Sequence, residues 1–208
     1  MNNTLIDNSI EALSMTATLR KCLAIDGIKT VSIATGYWDI PGLAILQENL
    51  RSFIEKDGTT LRLLIGKDPY IYANQLKSPK YKDANYPLDF IKTDIHELNV
   101  TEEYKDAIRL LLDYCTENND SKIQIRVFRK NENDETQFLH SKCYIFDGKS
   151  NGIGIGIVGS TNFTQKGLQG NAELNYIETA PNQVLSLDKI PGNKSHLIWF
   201  NEKWEISE

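Results

Sequence analysis

His140, Lys142, Asp147, the tetrad Gly159-Ser160-Thr161-Asn162 and Glu173 lie close together in the chain, and their types suit work on a phosphate. A histidine titrates near neutral pH, so His140 can act as nucleophile or as general acid and base. Lys142 supplies a compact positive charge for an anion. Small side chains and backbone N–H groups at a polar turn such as Gly159–Asn162 can hold phosphate oxygens. Together these groups suit attack on a phosphodiester, with the developing charge held by fixed donors.

These residues need strands and tight turns to position them. The run from Phe138 to Asp147 is rich in aromatic and β-branched residues and reads as a strand. Alternation then puts His140 and Lys142 on one face, turns Cys143 to the opposite face as a core residue, and leaves Asp147 at the strand end. Gly148 to Gly152 is turn chemistry. Ile153 to Val158 reads as a second strand whose alternate glycines mark close approach of another backbone or a ligand. Gly159-Ser160-Thr161-Asn162 is a polar turn, and Phe163 to Leu168 opens a short helix or loop.

The pattern H-x-K-x4-D followed by G-S-x-N resembles the signature of the phospholipase D superfamily, carried here by His140, Lys142, Asp147, Gly159, Ser160 and Asn162. Asn171-Ala172-Glu173 matches the acidic N-x-E context that often follows. One departure is the longer stretch between Asp147 and Gly159, which reads as an extended hairpin over Lys149 to Gly154 that leaves the site geometry intact. Only one motif is present, because neither His96 nor His196 is followed by the matching lysine and aspartate. Single-motif members of this superfamily build one site from two subunits about a two-fold axis, so the resemblance implies a homodimer.

By the same resemblance, His140 of one subunit attacks phosphorus and forms a phosphohistidine, while the second copy of that histidine protonates the leaving oxygen and then activates water. Lys142 and Asn162 bind the non-bridging oxygens, Ser160 donates to the phosphate or lines the site, and Glu173 orients the His140 imidazole. Asp147 either orients Lys142 or braces the turn. The resemblance implies no cofactor and no metal, because two lysines replace the cation that other phosphodiesterases use. It also points to a longer parent chain, of the kind in which an N-terminal nuclease domain is fused to a helicase region in bacterial restriction systems.

Composition bounds the compartment and the partners. The chain has 208 residues, 40% of them hydrophobic and 25% charged, enough for one domain with a substantial core. No run of roughly 18 apolar residues is present, so no membrane span is expected. The N-terminus has no signal-peptide pattern, and Cys22, Cys115 and Cys143 are scattered without metal-ligand spacing. They read as buried or partly buried thiols of a cytoplasmic protein. The net charge of −5 argues mildly against nucleic acid by total charge alone. However, Arg126, Arg129, Lys130, Lys142, Lys149 and Lys166 fall in the half that carries the motif. The acidic clusters Glu102-Glu103, Glu132 to Glu135 and Glu202 to Glu208 are expected to lie away from it.

Elsewhere, helices are expected over 9–25, from Pro41 to Lys56, over 101–116 and over 195–204. The third of these should carry Tyr104, Ile108, Leu111, Leu112 and Cys115 on one side. Further strands are expected at Lys29–Thr35, Leu61–Ile65, Ile123–Phe128 and Glu173–Glu178, whereas 70–100 has no clear period. Tyr37 and Trp38, just past a strand end, either shape the substrate groove or cover the core. Lys67 is a candidate phosphate contact. The fold class that follows is α/β, a mixed β-sheet sandwiched between helices, in one domain over 1–208.

Three functions compete at this point. The first is a metal-independent endonuclease acting on DNA, with RNA as the alternative substrate. The second is a phospholipid or other phosphodiester transferase, since the motif reports the reaction and not the leaving group. The third is a non-catalytic DNA-binding dimerisation domain.

Overall fold

The computed structural model describes residues 5–66, 102–115, 121–128, 139–186 and 194–207. The expectations for Lys67, 70–100, Arg129, Lys130, Glu132 to Glu135 and Phe138 lie outside these residues. A seven-stranded mixed sheet forms the centre. Its strands are β1 (Leu5–Ile6), β2 (Thr30–Thr35), β3 (Thr60–Ile65), β4 (Ile123–Val127), β5 (Cys143–Asp147), β6 (Gly154–Gly159) and β7 (Asn175–Glu178). The spatial order is β1-β7-β6-β5-β2-β3-β4. The β2, β3 and β4 strands run parallel, and the remaining neighbours are antiparallel.

Helices cover both faces of the sheet. On one face α1 (Met15–Ala24), α2 (Ile40–Ile54) and α3 (Glu102–Tyr114) build the larger core with Val31, Ile33, Tyr144 and Phe146. On the other, α4 (Pro181–Leu185) and α5 (His196–Glu205) close over Ala34, Leu64, Cys143 and Ile145. The strict alternation Cys143, Tyr144, Ile145, Phe146 between the two cores is the period-2 pleat at work. The chain is therefore the α/β sandwich the sequence predicts. Among the described residues no helix is long and apolar enough to cross a membrane.

Local chemistry sets the boundaries. Ser14 caps α1 by accepting from Ala17 N at 3.1 Å, and Asp39 caps α2 by accepting from Gly42 N at 2.6 Å. The helix expected from residue 9 begins only at Met15. Asn8 sits in the left-handed region at φ 59° and accepts from Met15 N at 2.8 Å, leaving Glu11–Leu13 as a short 3-10 turn. In α3 the buried face is Ala107, Leu110 and Leu111, with Tyr104 and Ile108 packed beside it. Leu112 is 73% exposed and Cys115 is also exposed, which corrects the expected face by one position. The short β1 and α4 carry too little periodicity to be anticipated from sequence.

The strand predicted from Phe138 begins only at Cys143. The reason lies in its neighbour. The β2 partner of Cys143 is Ala34, and β2 ends one residue later at Thr35. Beyond that point the chain through Leu139 and His140 crosses over the β2 and β3 ends, where Gly36 and Gly66 leave room. A Cβ on Gly66 would lie 2.1 Å from the Leu139 carbonyl oxygen. At the other end, the lengthened β5–β6 connection is absorbed in a turn over Lys149–Asn151, closed by Gly152 at φ 74°. The β5–β6 ladder runs unbroken from Asp147↔Gly154 to Cys143↔Val158, so the extra residues never reach the site.

Candidate active site

His140, Lys142, Ser160 and Asn162 meet on one wall of a cavity of about 660 Å³ at the end of β5 and β6. His140 is exposed and Lys142 is only 6% exposed. The Lys142 Nζ donates to the His140 carbonyl oxygen at 2.6 Å. Burial pulls the Lys142 pKa below that of free lysine, and the nearby Glu173 carboxylate acts in the opposite direction. The ammonium is therefore desolvated and held against the main chain of His140.

Asn162 is oriented by its neighbours. Its side-chain oxygen accepts from Tyr37 N at 3.1 Å and, more weakly, from Thr35 Oγ1 at 3.4 Å. A backbone N–H can only donate, so this contact assigns the oxygen to that side and turns the amide N–H groups elsewhere. The same oxygen and the His140 ring both lie within contact distance of the point a Gly36 Cβ would occupy. Gly36 thus lets the histidine and the amide approach each other.

The turn carrying Ser160 and Asn162 is braced from three sides. Tyr144, fully buried, donates from its hydroxyl to Thr161 O at 2.8 Å. Asn175 of β7 accepts from Thr161 N at 3.2 Å and donates to Thr161 Oγ1 at 2.8 Å. Thr35 Oγ1 accepts from Phe163 N at 3.0 Å, and Asp39 accepts from Gln165 N at 3.0 Å. Neither Asn175 nor Tyr144 stands in the motif spacing. Burial of a polar residue beside the turn is the only sequence-independent mark they leave.

Glu173 accepts from Ser160 Oγ and, at 3.1 Å, from Asn171 Nδ2. Ser160 in turn accepts from Leu174 N at 3.0 Å. The hydroxyl expected to face phosphate is thereby engaged with the carboxylate. Asp147 lies at the far end of β5, roughly 16 Å from Lys142 at a strand rise of ~3.3 Å per residue. There it accepts from Lys149 N at 2.6 Å, which is the turn-bracing role rather than contact with Lys142. Tyr37 is half-buried and reaches the site through its backbone N–H, whereas Trp38 is core at 3% exposure. Arg126 is occupied by stacking on Trp204 and donating to the Trp204 carbonyl, and Lys149 sits with Asp147 at the distant turn.

Spacing did not reveal the opposite wall. Lys194, Ser195, His196 and Trp199, at the start of α5, line the same cavity. Lys194 pairs with Glu202 at 2.5 Å, so one acidic residue expected away from the site stands at its rim. The alternate glycines of β6 were the available signal. A Cβ on Gly156 would meet the His196 ring at 2.5 Å, and one on Gly154 would meet Leu185 at 2.7 Å. The close approach that they mark is that of α4 and α5. Among the described residues no group of three or more His, Cys, Asp or Glu side chains is gathered as metal ligands would be.

The chain matches the model of the family described as "Cardiolipin synthase, PLD-like domain" over residues 22–190. Among solved structures it is similar to Nuc from Salmonella typhimurium, described as a phospholipase D family member, with a TM-score of 0.52 at 13% identity, covering 98% of this chain and 94% of that one. It is similar also to NucT from Helicobacter pylori, with a TM-score of 0.50 at 9% identity, covering 98% and 96%. At these identities the likeness is one of fold. No curated protein sequence matches the chain.

Proposed function

The chain belongs to the phospholipase D-like family, and from that premise we propose that it is a metal-independent endonuclease that hydrolyses DNA through a phosphohistidine at a site shared by two subunits. The observation that carries this reading is the convergence of His140, the buried Lys142 and the oriented Asn162 amide on one cavity wall.

In this reading the scissile phosphate binds with its non-bridging oxygens on Lys142 Nζ and the Asn162 amide. His140 attacks phosphorus through its unprotonated ring nitrogen, and the bond to the leaving oxygen breaks. His140 of the partner subunit gives that oxygen its proton. The same imidazole then takes a proton from water, whose oxygen attacks phosphorus and releases His140. Lys142 supplies the charge stabilisation that a cation gives in other phosphodiesterases. Because it is desolvated, its charge acts at higher effective strength than a surface lysine's.

The experiment is cleavage of plasmid and single-stranded DNA in excess EDTA, wild type beside His140→Ala, with the oligomeric state measured by sedimentation. Cutting by the wild-type dimer alone supports the proposal. Equal cutting by both proteins, or dependence on added metal, overturns the histidine mechanism. Hydrolysis of phosphatidylcholine vesicles but not of DNA would keep the chemistry and move the substrate to lipid. A monomer with full activity would overturn the shared site.

A further inference from the structure

The cavity has two walls of different origin. One carries His140, Lys142, Ser160 and Asn162 and lies within the residues that the family model matches. The other carries Lys194, His196 and Trp199 and lies wholly beyond residue 190, where that match ends. Its chemistry is an aromatic face, an imidazole and a cation beside a phosphate-binding wall. An aromatic face next to a phosphate site is what stacks a nucleobase, and a cavity of about 660 Å³ falls within the usual range for a small-molecule-sized group.

We propose that this second wall is a base-binding slot, so that the strand cut must present an unpaired nucleotide beside the scissile phosphate. The inference rests on the nuclease reading above. Trp199 is half-buried, with its far side on the smaller core and its near side on the cavity. A base held in a duplex reaches such a slot only by leaving its stack, which gives up pairing and stacking. A single strand has no such cost.

The His196 ring supports the slot. It lies against β6 where Gly156 has no side chain, with Nδ1 buried and without a hydrogen-bond partner among the described residues. An unprotonated buried nitrogen costs less than an unpaired buried N–H, so the ring proton belongs on Nε2, as a donor for base or sugar oxygens. Burial also lowers the His196 pKa, which keeps the ring neutral. The Ser195 hydroxyl is consumed in capping α5, accepting from Ile198 N at 3.2 Å, and is not counted among the ligand contacts. Lys194 is held by Glu202, so a bound phosphate must compete with that carboxylate.

Tryptophan fluorescence tests this directly. Of the three tryptophans, Trp38 and Trp204 are buried at 3% and 5% exposure, so a change on binding reports Trp199. A His140→Ala background keeps the oligonucleotide whole. Titration with a short oligothymidylate should quench the emission, and the matching duplex should not. Trp199→Leu should raise the oligonucleotide Kd roughly tenfold or more. Trp199→Phe, which keeps an aromatic face and the packing, should restore most of the affinity while removing the quench. Glu202→Gln should tighten binding, a direction that general loss of structure does not produce. Equal quenching by duplex, or unchanged affinity in Trp199→Leu, overturns the slot. If the wild type cleaves DNA in EDTA yet shows no quench, the slot fails alone. If it neither binds nor cleaves nucleic acid, the nuclease reading fails with it.

Discussion

The Nζ of Lys142 donates to the main-chain carbonyl oxygen of His140 at 2.6 Å. The lysine therefore fixes the main chain of His140 two residues before it. Lys142 fills a slot only 6% exposed. Lys142→Arg should fail almost as badly as Lys142→Met, because the planar guanidinium is larger and differently hydrated. The expected loss in single-turnover cleavage is about 10²–10³, typical of removing one charge-stabilising donor. Near wild-type cleavage by Lys142→Arg would show that the slot does not constrain the cation.

Glu173 tunes that cation. Burial depresses the Lys142 pKa, and the Glu173 carboxylate opposes the depression. In the proposed mechanism the ammonium is the form that binds phosphate, so activity on the alkaline side should end where Lys142 loses its proton. Glu173→Gln removes the opposing charge, lowers the pKa further and should move the alkaline limb of the pH–rate profile to lower pH. A limb that stays in place, or moves up, would show that Lys142 does not set it.

Gly66 carries no reacting group, yet its lack of a side chain decides where His140 sits. A Cβ there would stand 2.1 Å from the Leu139 carbonyl oxygen. Gly66→Ala should displace the chain just before His140, cost about 1–3 kcal/mol in thermal or denaturant unfolding and depress cleavage at temperatures where the protein is still folded. Full activity in a folded Gly66→Ala variant would mean that the Leu139–His140 backbone is not held as described.

Asn175 is 1% exposed and makes two hydrogen bonds to Thr161 in the turn that carries Ser160 and Asn162. Asn175→Ala leaves a buried N–H and a buried hydroxyl without these partners, at about 1–3 kcal/mol in unfolding free energy. The turn also slackens, so kcat should fall in the folded protein while the fold is retained by circular dichroism. Unchanged denaturation midpoint and kcat would place the bracing of the turn elsewhere.

Two buried thiols set an alkaline limit on stability. Burial raises both Cys22 and Cys143 from 9.0 to about 12. Above pH 9 the unfolded chain releases these protons while the folded chain keeps them. The folded state then binds more protons than the unfolded one, so stability must fall as pH rises. Cys143→Ala should lose less stability between pH 9 and 11 than the wild type, even though it starts lower because of the cavity it leaves. Parallel pH–stability curves for the two proteins would show that Cys143 does not contribute.

Much of the site was legible along the chain because its chemistry is local. His140, Lys142, Ser160 and Asn162 lie on two adjacent strand ends joined by one hairpin, so short-range spacing carries the geometry. Tyr37 is different: it lies far away in the chain and reaches the site only because β2, which ends just before it, pairs with β5. Asp147 has the right spacing but stands at the opposite end of β5, because a strand that places Lys142 at one end carries its fifth successor to the other.

The sequence by itself determined the α/β class, the strands that build the sheet centre and the residues that meet on one wall of the cavity. It did so through period-2 alternation, turn residues and motif spacing, all of which act within a few residues. Only the tertiary structure decided that β5 begins at Cys143, since that depends on where β2 ends. It alone brought Asn175 beneath Thr161, paired Glu173 with Ser160 and laid His196 across Gly156. Those contacts join residues from separate elements, and their partners are chosen by packing across the sheet. The alternate glycines of β6 mark a close approach, but no local pattern in either partner identifies the other.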